Sequence, residues 1–457
     1  MKSFLVIGTV DAPKDNGGLT LREQTKRKTW RGLASSPRPP EYLGLQVIFI
    51  FLSILTPLRL AREHLIFPQM NPSQMDSFDI AIIGGGPAGC ATALSIRKSA
   101  PSLTCIVIDD ADPENFKVGE SLPPESGRLL HYLDASLMKT MSSRVSSGLH
   151  TPCSGNASAW ASSQVEERHS IMNPFGHGHH LDRANFDEML RCAVDQGPST
   201  TLKKGKFSSI HKRDDGKWIL DLDVQGTQKG IEATWVVDAT GRKASLATKI
   251  GAKVVTSNPL LAFFAVFTSP DPEIGIGDND MRTLIEATAS GWWYSSLVSR
   301  NPRTRVVVFH TSPSHPIAKI VRRAEGFLEH LKESSMHVFG IVEKGEYEME
   351  NKYPRCTAAG SSRLDSPCDG AAHWVAVGDA AMAFDPLSSQ GMMTALEMGS
   401  YAGLHLSSVL MGKEEEIQLQ GVLENTYDRV VSEYEKHRGY YYSIVKRFPG
   451  ELFWEST

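Results

Sequence analysis

Ile80-Ala81-Ile82-Ile83-Gly84-Gly85-Gly86-Pro87-Ala88-Gly89 is an apolar run that ends in a GxGxxG turn. The run is short, unbroken and β-branched, which predicts a buried strand, and a helix is expected to follow to about Ser99. Each glycine has a task. Gly84 permits the tight turn, Gly86 lets backbone approach a pyrophosphate, and Gly89 lets helix and strand pack closely. The helix begins at Pro87 and Ala88, so free N–H groups and a partial positive charge face the phosphates. A second apolar run, Cys105–Ile108, ends at Asp109, twenty residues after Gly89 and suited to hold ribose hydroxyls. Asp110 and Asp112 compete for that role, but Asp109 directly follows the strand. A βαβ unit of this kind implies a parallel sheet with covering helices. On its own it admits either NAD or FAD.

The chain has 457 residues, 41% hydrophobic and 22% charged, enough for two packed domains. A formal net charge of -4 gives no polyanion-binding signature and argues against nucleic acid as a partner. None of the six cysteines forms a CxxC pair or has zinc-finger spacing. So few cysteines in so long a chain suggest a reducing, cytoplasmic setting. Residues 1–76 differ from the rest. A basic stretch (Arg22, Lys26, Arg27, Lys28, Arg31) precedes the uncharged run 43–58, whose 16 residues fall short of the roughly 20 a spanning helix needs. That extension reads either as a membrane contact or as a disordered or removed segment.

Further strands are expected at Trp218–Val224, Ala233–Val237, Arg305–Phe309 and Trp374–Val377, and helices at Ala318–Glu333, from about Gln390, and at Tyr427–Val445. The expected organisation is a discontinuous nucleotide domain (77–250 and 366–424), a β-sheet substrate domain inserted at 251–365, and a C-terminal helical region at 425–457. Gly275-Ile276-Gly277 lacks a helix start and reads as a loop, so no separate NAD(P)H domain is expected.

The strand before Val377-Gly378-Asp379-Ala380 resembles the Gly-Asp turn of the FAD-dependent monooxygenase and halogenase superfamily. That resemblance implies that Asp379 binds the ribityl chain. Phe384-Asp385-Pro386-Leu387-Ser388-Ser389-Gln390-Gly391-Met392 is similar to the superfamily's loop beside the flavin ring, with Pro386 stiffening the turn and Gly391 and Met392 opening a helix. Asp238-Ala239-Thr240-Gly241-Arg242 resembles the segment that backs the cofactor. Leu181-Asp182-Arg183 resembles the segment whose Arg reaches FAD oxygens, although Arg183 with Asp187 also reads as an ordinary i,i+4 ion pair. Lys117-Val118-Gly119-Glu120-Ser121-Leu122-Pro123-Pro124 resembles the signature of a narrower group, with Gly119 and Ser121 at the cofactor. That group holds tryptophan-halogenase-like proteins and the maturation flavoproteins of quinone-cofactor (lysine and glycine) oxidases. The stretches 156–160, 173–183 and Gly291-Trp292-Trp293-Tyr294-Ser295 resemble the maturation branch. The implied fold is α/β, a glutathione-reductase-like FAD domain with an inserted β-sheet substrate domain and C-terminal helices.

Two features that the resemblance ties to halogenation are altered. The WxWxIP strand reads Trp292-Trp293-Tyr294-Ser295-Ser296-Leu297, and Cys153-Ser154-Gly155-Asn156 stands where the halogen-carrying Lys is expected. Oxygen insertion through a flavin C4a-hydroperoxide is therefore the expected chemistry. The expected substrate is an indole or phenol, a small aromatic molecule or a tryptophan-bearing peptide, with O2 as co-substrate. Electrons would come from NAD(P)H or a separate flavin reductase. A halogenase is the rival of the same class, and a non-catalytic flavin-binding scaffold or chaperone the rival of another. Glu120 and His179 are the candidate proton-handling residues, and Trp292, Trp293 and Tyr294 the candidate substrate wall. Alternation puts Trp292 and Tyr294 on one face and Trp293 on the other. His177, His179 and His180 lack a carboxylate or cysteine to complete a metal site, so no metal is expected.

Overall fold

Five strands lie side by side in parallel, in the order Thr200–Lys204, Cys105–Asp109, Asp76–Ile83, Thr227–Asp238 and Trp374–Ala376. The near-continuous apolar runs Ile80–Ile83, Cys105–Ile108, Trp235–Val237 and Trp374–Ala376 at the centre of this sheet have a direct cause, because both faces are covered there, whereas the outer strand Thr200–Lys204 is mostly polar and partly exposed. Ile80 and Ile82 join the core beneath the helix Pro87–Ser99, while Ala81 and Ile83 join the core on the opposite side. The chain leaves Asp76–Ile83 in one direction first and later returns on its other flank, so the sheet has a switch point at the glycine turn. Ligands of open α/β sheets bind at such a point. In this computed structural model the described residues are 75–112, 116–269, 278–350, 352 and 354–455. The 43–58 run and Gly275-Ile276-Gly277 lie outside them.

The second large sheet is mainly antiparallel. Its centre is Leu261–Thr268, Arg303–Thr311, Gly291–Arg300 and Arg282–Thr288. Gly155–Ala159 adds to Arg282–Thr288 in parallel, and Glu166–His169 pairs beyond it, so the sheet draws strands from outside 251–365. Alternation splits its side chains between two cores. Trp292, Ile285 and Val308 face one, and Trp293, Phe263 and Phe309 the other.

Two helices differ from expectation. The 318–333 segment is broken into Ile317–Ile320 and Ala324–Ser334. Gly326 is pressed under the Ile320 carbonyl, where a Cβ would lie 2.5 Å from the oxygen. The C-terminal helix is Glu416–Ser443 and starts well before Tyr427, because Glu415 and Gln418 form a capping box. Among the described residues no helix is long and apolar enough to cross a membrane.

The helix Gly391–Leu410 packs across Pro87–Ser99 through small residues. A Cβ on Gly399 would lie 2.2 Å from the Ala88 carbonyl oxygen, and one on Gly403 would lie 2.6 Å from that of Thr92. Ser95 Oγ donates to the Ser400 carbonyl at 2.7 Å. Gly399→Val would force these backbones apart and should cost roughly 1–3 kcal/mol. A thermal melt would show a clear fall, whereas an unchanged melting temperature would mean that the close approach is not structural.

Candidate active site

A cavity of about 690 Å³ runs from the glycine turn to the face of the antiparallel sheet. At its nucleotide end lie Gly84, Gly86, Pro87, Ala88 and Asp109. Gly84 has φ +108°, and a Cβ there would lie 2.2 Å from the Ala239 carbonyl oxygen. Gly89 is not on the cavity. It sits under Gly84, where a Cβ would lie 1.9 Å from the Gly84 carbonyl oxygen. At Gly86, by contrast, a Cβ would meet nothing within 4 Å. The N-terminus of helix Pro87–Ser99 has no side-chain cap, so its N–H groups are open to an anion. Asp109 ends its strand and faces Arg191 at 3.4 Å. Arg191 also bonds Glu188 at 2.9 Å, and it was not foreseen from sequence.

The signature loop 117–121 forms the next wall. Asp187, almost fully buried, holds Lys117 at 3.0 Å and Arg183 at 3.2 Å. The two cations hold its carboxyl below the usual range against the opposing effect of burial. Arg183 donates to the carbonyls of Val118 and Gly119 at 3.0 and 3.1 Å. Arg183 therefore lines the cavity and also orders the loop, and its i,i+4 ion pair with Asp187 is present. Gly119 has φ +89°. Glu120 is buried; its Oε2 accepts from Gly119 N–H at 2.9 Å and from Tyr294 O–H at 3.2 Å. Its Oε1 has no protein partner.

On the other flank, Gly378 (φ +59°) packs its turn against Ala88. It does not face the cavity, but the next residue, Asp379, does. The depth of the cleft pushes the Asp379 carboxyl up, and Arg242 and then Arg183 oppose that shift. Arg242 lies 3.5 Å from Asp379 and also donates to the carbonyls of Gly360 and Phe384. Pro386, Gly391 and Met392 line the same end. Asp385 is buried, which raises its carboxyl, and Arg438 opposes that shift. It accepts from Tyr442 O–H at 2.7 Å.

The far wall is one face of the antiparallel sheet, with Thr283, Ile285, Trp292, Tyr294, Val308 and His310 on the cavity. Trp292 stacks on His310 with centroids 3.7 Å apart and donates from Nε1 to Tyr442 Oη at 3.1 Å. Burial pulls the His310 imidazole down to about 3, so it is neutral at pH 7. Burial, then Glu120, pushes the Tyr294 hydroxyl well above its ordinary value. Trp293 is on the opposite face, packed on Phe309 and Phe327 and donating to Ser334 Oγ at 3.0 Å. The strand's alternation thus removes it from the candidate wall. His179 is likewise not among the cavity-lining residues. Its neighbour His180 points the other way and bonds Thr283 Oγ1 at 2.9 Å. Ser121 Oγ lies 3.4 Å from the same hydroxyl. Among the described residues, no cluster of three His, Cys, Asp or Glu side chains could hold a metal ion.

These residues fit FAD. The open space at Gly86, the uncapped helix, Asp109 at the strand end and Asp379 on the opposite flank line one cavity of about 690 Å³. Fold and cavity together define a flavoprotein oxidoreductase. The tryptophan halogenase family model matches residues 131–455, and the chain belongs to that family. It is 27% identical to LodB of Marinomonas mediterranea, a protein named as an FAD-dependent oxidoreductase, over 83% of this chain and 97% of LodB. Among solved structures, the flavin-dependent halogenase CmlS superposes with a TM-score of 0.70 at 20% identity, covering 84% of this chain and 67% of CmlS. The peptidyl tryptophan dihydroxylase QhpG, described as essential for tryptophylquinone cofactor biogenesis, gives a TM-score of 0.63 at 18% identity, covering 83% of this chain and 78% of QhpG.

Gly86→Val separates binding from folding. The Cβ of the new side chain meets no protein atom within 4 Å, so the melting temperature of the flavin-free protein should hold. It would fill the phosphate space, and FAD affinity, read by flavin fluorescence, should fall at least about tenfold, the loss of a charge-assisted contact. Undiminished affinity would remove the diphosphate from this turn.

Proposed function

We propose that the chain is an FAD-dependent monooxygenase that places one oxygen atom of O2 on an electron-rich indole or phenol. The observation that carries this reading is the aromatic face. Trp292, Tyr294 and His310 line the cavity beside Glu120, and no lysine stands among them. The cavity's lysines are elsewhere. Lys117 is held by Asp187, Lys206 follows Gly205 beside Asp109, and Lys243 follows Arg242. QhpG, a peptidyl tryptophan dihydroxylase, supports the same direction, and a tryptophan side chain of a partner protein is the substrate we favour.

The reaction balances as substrate-H, O2, NAD(P)H and a proton giving substrate-OH, NAD(P)⁺ and water. Reducing equivalents reach the site from NAD(P)H directly or through a flavin reductase. Bound reduced flavin supplies the activation of O2. The protein's own groups do the rest. Trp292 and Tyr294 present one aromatic face that orients a flat ring, and the neutral His310 adds no charge to it. Tyr294 donates to Glu120, and the proton that the ring loses passes through that hydroxyl to the carboxylate. The apolar lining of Ile285, Trp292 and Val308 limits water beside the ring. His179 is not carried into this reading, because it does not reach the cavity. The division into a discontinuous FAD domain and a sheet-built substrate domain is part of the same proposal, with 155–159 joined to the substrate side.

Incubating the reduced holoenzyme with ¹⁸O2 and tryptophan-bearing peptides, indoles or phenols should add one labelled oxygen by mass spectrometry. A brominated product in bromide without labelled oxygen would establish the halogenase reading instead. Oxygen consumption with no modified ring under either condition would leave a flavin-binding scaffold. Glu120→Gln should keep the Tyr294 contact yet slow product formation roughly 100-fold by removing the proton acceptor. An unchanged rate would take Glu120 out of proton transfer.

A further inference from the structure

The antiparallel sheet reaches the cavity rim in a strand with a free edge. Arg355–Ala358 pairs with Leu261–Thr268 on one side, and among the described residues no strand pairs with it on the other. All four of its residues are exposed, and Thr357 and Ala358 also line the cavity, which puts them at its rim. The phase of the hydrogen bonds follows from two contacts of the inner strand. The Ala359 N–H donates to the Leu260 carbonyl at 2.8 Å, and the Glu350 N–H donates to the Val266 carbonyl at 2.9 Å. Antiparallel bonding alternates, so Ala262 and Phe264 also bond toward this side, to Thr357 and Arg355. The backbone N–H and C=O of Cys356 and Ala358 therefore point away from the sheet, and they have no hydrogen-bond partner among the described residues. Such an edge is a template for a further strand.

The side chains give the edge a sign. Arg355 stands opposite Phe264 and meets the Phe116 carbonyl at 3.4 Å. Arg322 lies 5.7 Å from the centre of the Phe263 ring, on the other face. Neither pairs with a carboxylate among the described residues. The acids on the same side, Glu348 and Glu350, stand further along, opposite Thr268 and Val266, and Glu350 accepts from the Thr268 hydroxyl.

We propose that Arg355–Ala358 is the docking edge for an extended, acid-bearing segment of the protein substrate, which adds to the sheet as one more strand. The inference rests on the tryptophan-bearing partner favoured above and narrows it, because the segment must be extended when it binds. Cys356 and Ala358 exchange backbone hydrogen bonds with alternate residues of the incoming chain, and Arg355 and Arg322 meet its carboxylates. Main-chain bonds supply affinity in this mode, and the side-chain surroundings supply selectivity. Thr357, Ala262, His310 and Trp292 form one row in register across four strands, and His310 and Trp292 belong to the aromatic wall. The added strand continues that row about 5 Å beyond Thr357. It thereby lays the chain that carries the target ring along the rim of the cavity.

Binding can be read apart from chemistry. A fluorescein-labelled peptide, with valine and glutamate alternating around one tryptophan, is titrated by anisotropy into the FAD-loaded protein in its oxidised state, which turns nothing over. Cys356→Pro removes an outward N–H and no bond of the ladder, so the melting temperature should hold. Peptide affinity should fall about tenfold, while Cys356→Ala, which keeps the N–H, should leave it unchanged. Arg355→Glu should weaken this peptide and favour one with lysine in place of glutamate. Residue-resolved hydrogen exchange should show the Cys356 and Ala358 amides slowed by the peptide and the Thr357 amide, already bonded, unaffected. No binding of the peptide, or binding indifferent to Cys356→Pro, would overturn the docking edge. A dimer of the chain that Cys356→Pro dissolves would overturn it in favour of a second copy. None of these readouts involves oxygen transfer, so failure to find any oxygenated product would remove the proposed function and leave the edge standing. Oxygenation of free indole without peptide binding would do the reverse.

Discussion

The Glu120 carboxylate joins the two halves of the molecule at the cavity. One of its oxygens takes the Gly119 N–H from the signature loop and the Tyr294 hydroxyl from the antiparallel sheet. A buried carboxylate is costly unless its charge is met, and two donors on one oxygen meet it only in part. The other oxygen is left without a protein partner. An arrangement chosen for stability alone would have satisfied both. The loop therefore keeps one buried oxygen without a protein partner, and Tyr294 cannot shift without disturbing the loop that carries Glu120.

The second wall aromatic is tied in a parallel way. Trp292 donates to Tyr442, Tyr442 donates to Asp385, and Arg438 lies 3.4 Å from the same carboxylate. Asp385 opens the turn that leads into helix Gly391–Leu410, so the C-terminal helix links the flavin-side loop to the substrate face. The Asp385 side chain also accepts the Leu387 N–H, and its backbone N–H donates to the Tyr434 hydroxyl oxygen. A buried network this fully bonded fixes geometry more than it adds stability. Both aromatics of that wall are thus tied to the loops that flank the proposed cofactor space. That is the arrangement a reaction needs when the oxidant and the ring must meet within a narrow range of distance.

The parts legible in the sequence are those governed by local backbone rules. The strand–turn–helix at Ile80–Ser99, the acid at Asp109, the Gly378-Asp379 turn and the Trp292/Tyr294 alternation all follow from short-range period and glycine conformation. The groups that were missed pair across long separations. Arg191 reaches Asp109 from 82 positions away, and Tyr442 reaches Asp385 from 57. No local pattern marks such contacts. His310 lay one residue beyond the expected strand Arg305–Phe309, and its place on the cavity depends on register with Trp292, which sequence alone does not set. The same limit explains the histidine cluster. The alternation across His177–His180 was readable, but not which face met the cavity.

Arg183 shows how one residue can satisfy both a mundane and a functional reading. Its i,i+4 partner Asp187 is almost fully buried, and such a carboxylate needs the charge regardless of any ligand. Lys117 supplies a second cation to the same acid, which leaves Arg183 some positive field to spare. The guanidinium spends its remaining N–H groups on the Val118 and Gly119 carbonyls and thereby sets the turn that carries Glu120. Its influence on the chemistry is consequently exerted through the loop as well as through the cofactor. Replacement by Lys would keep the charge but lose the fork that holds both carbonyls and the carboxylate at once. The position calls for arginine geometry because the loop, and with it the Glu120–Tyr294 bond, is built on that fork.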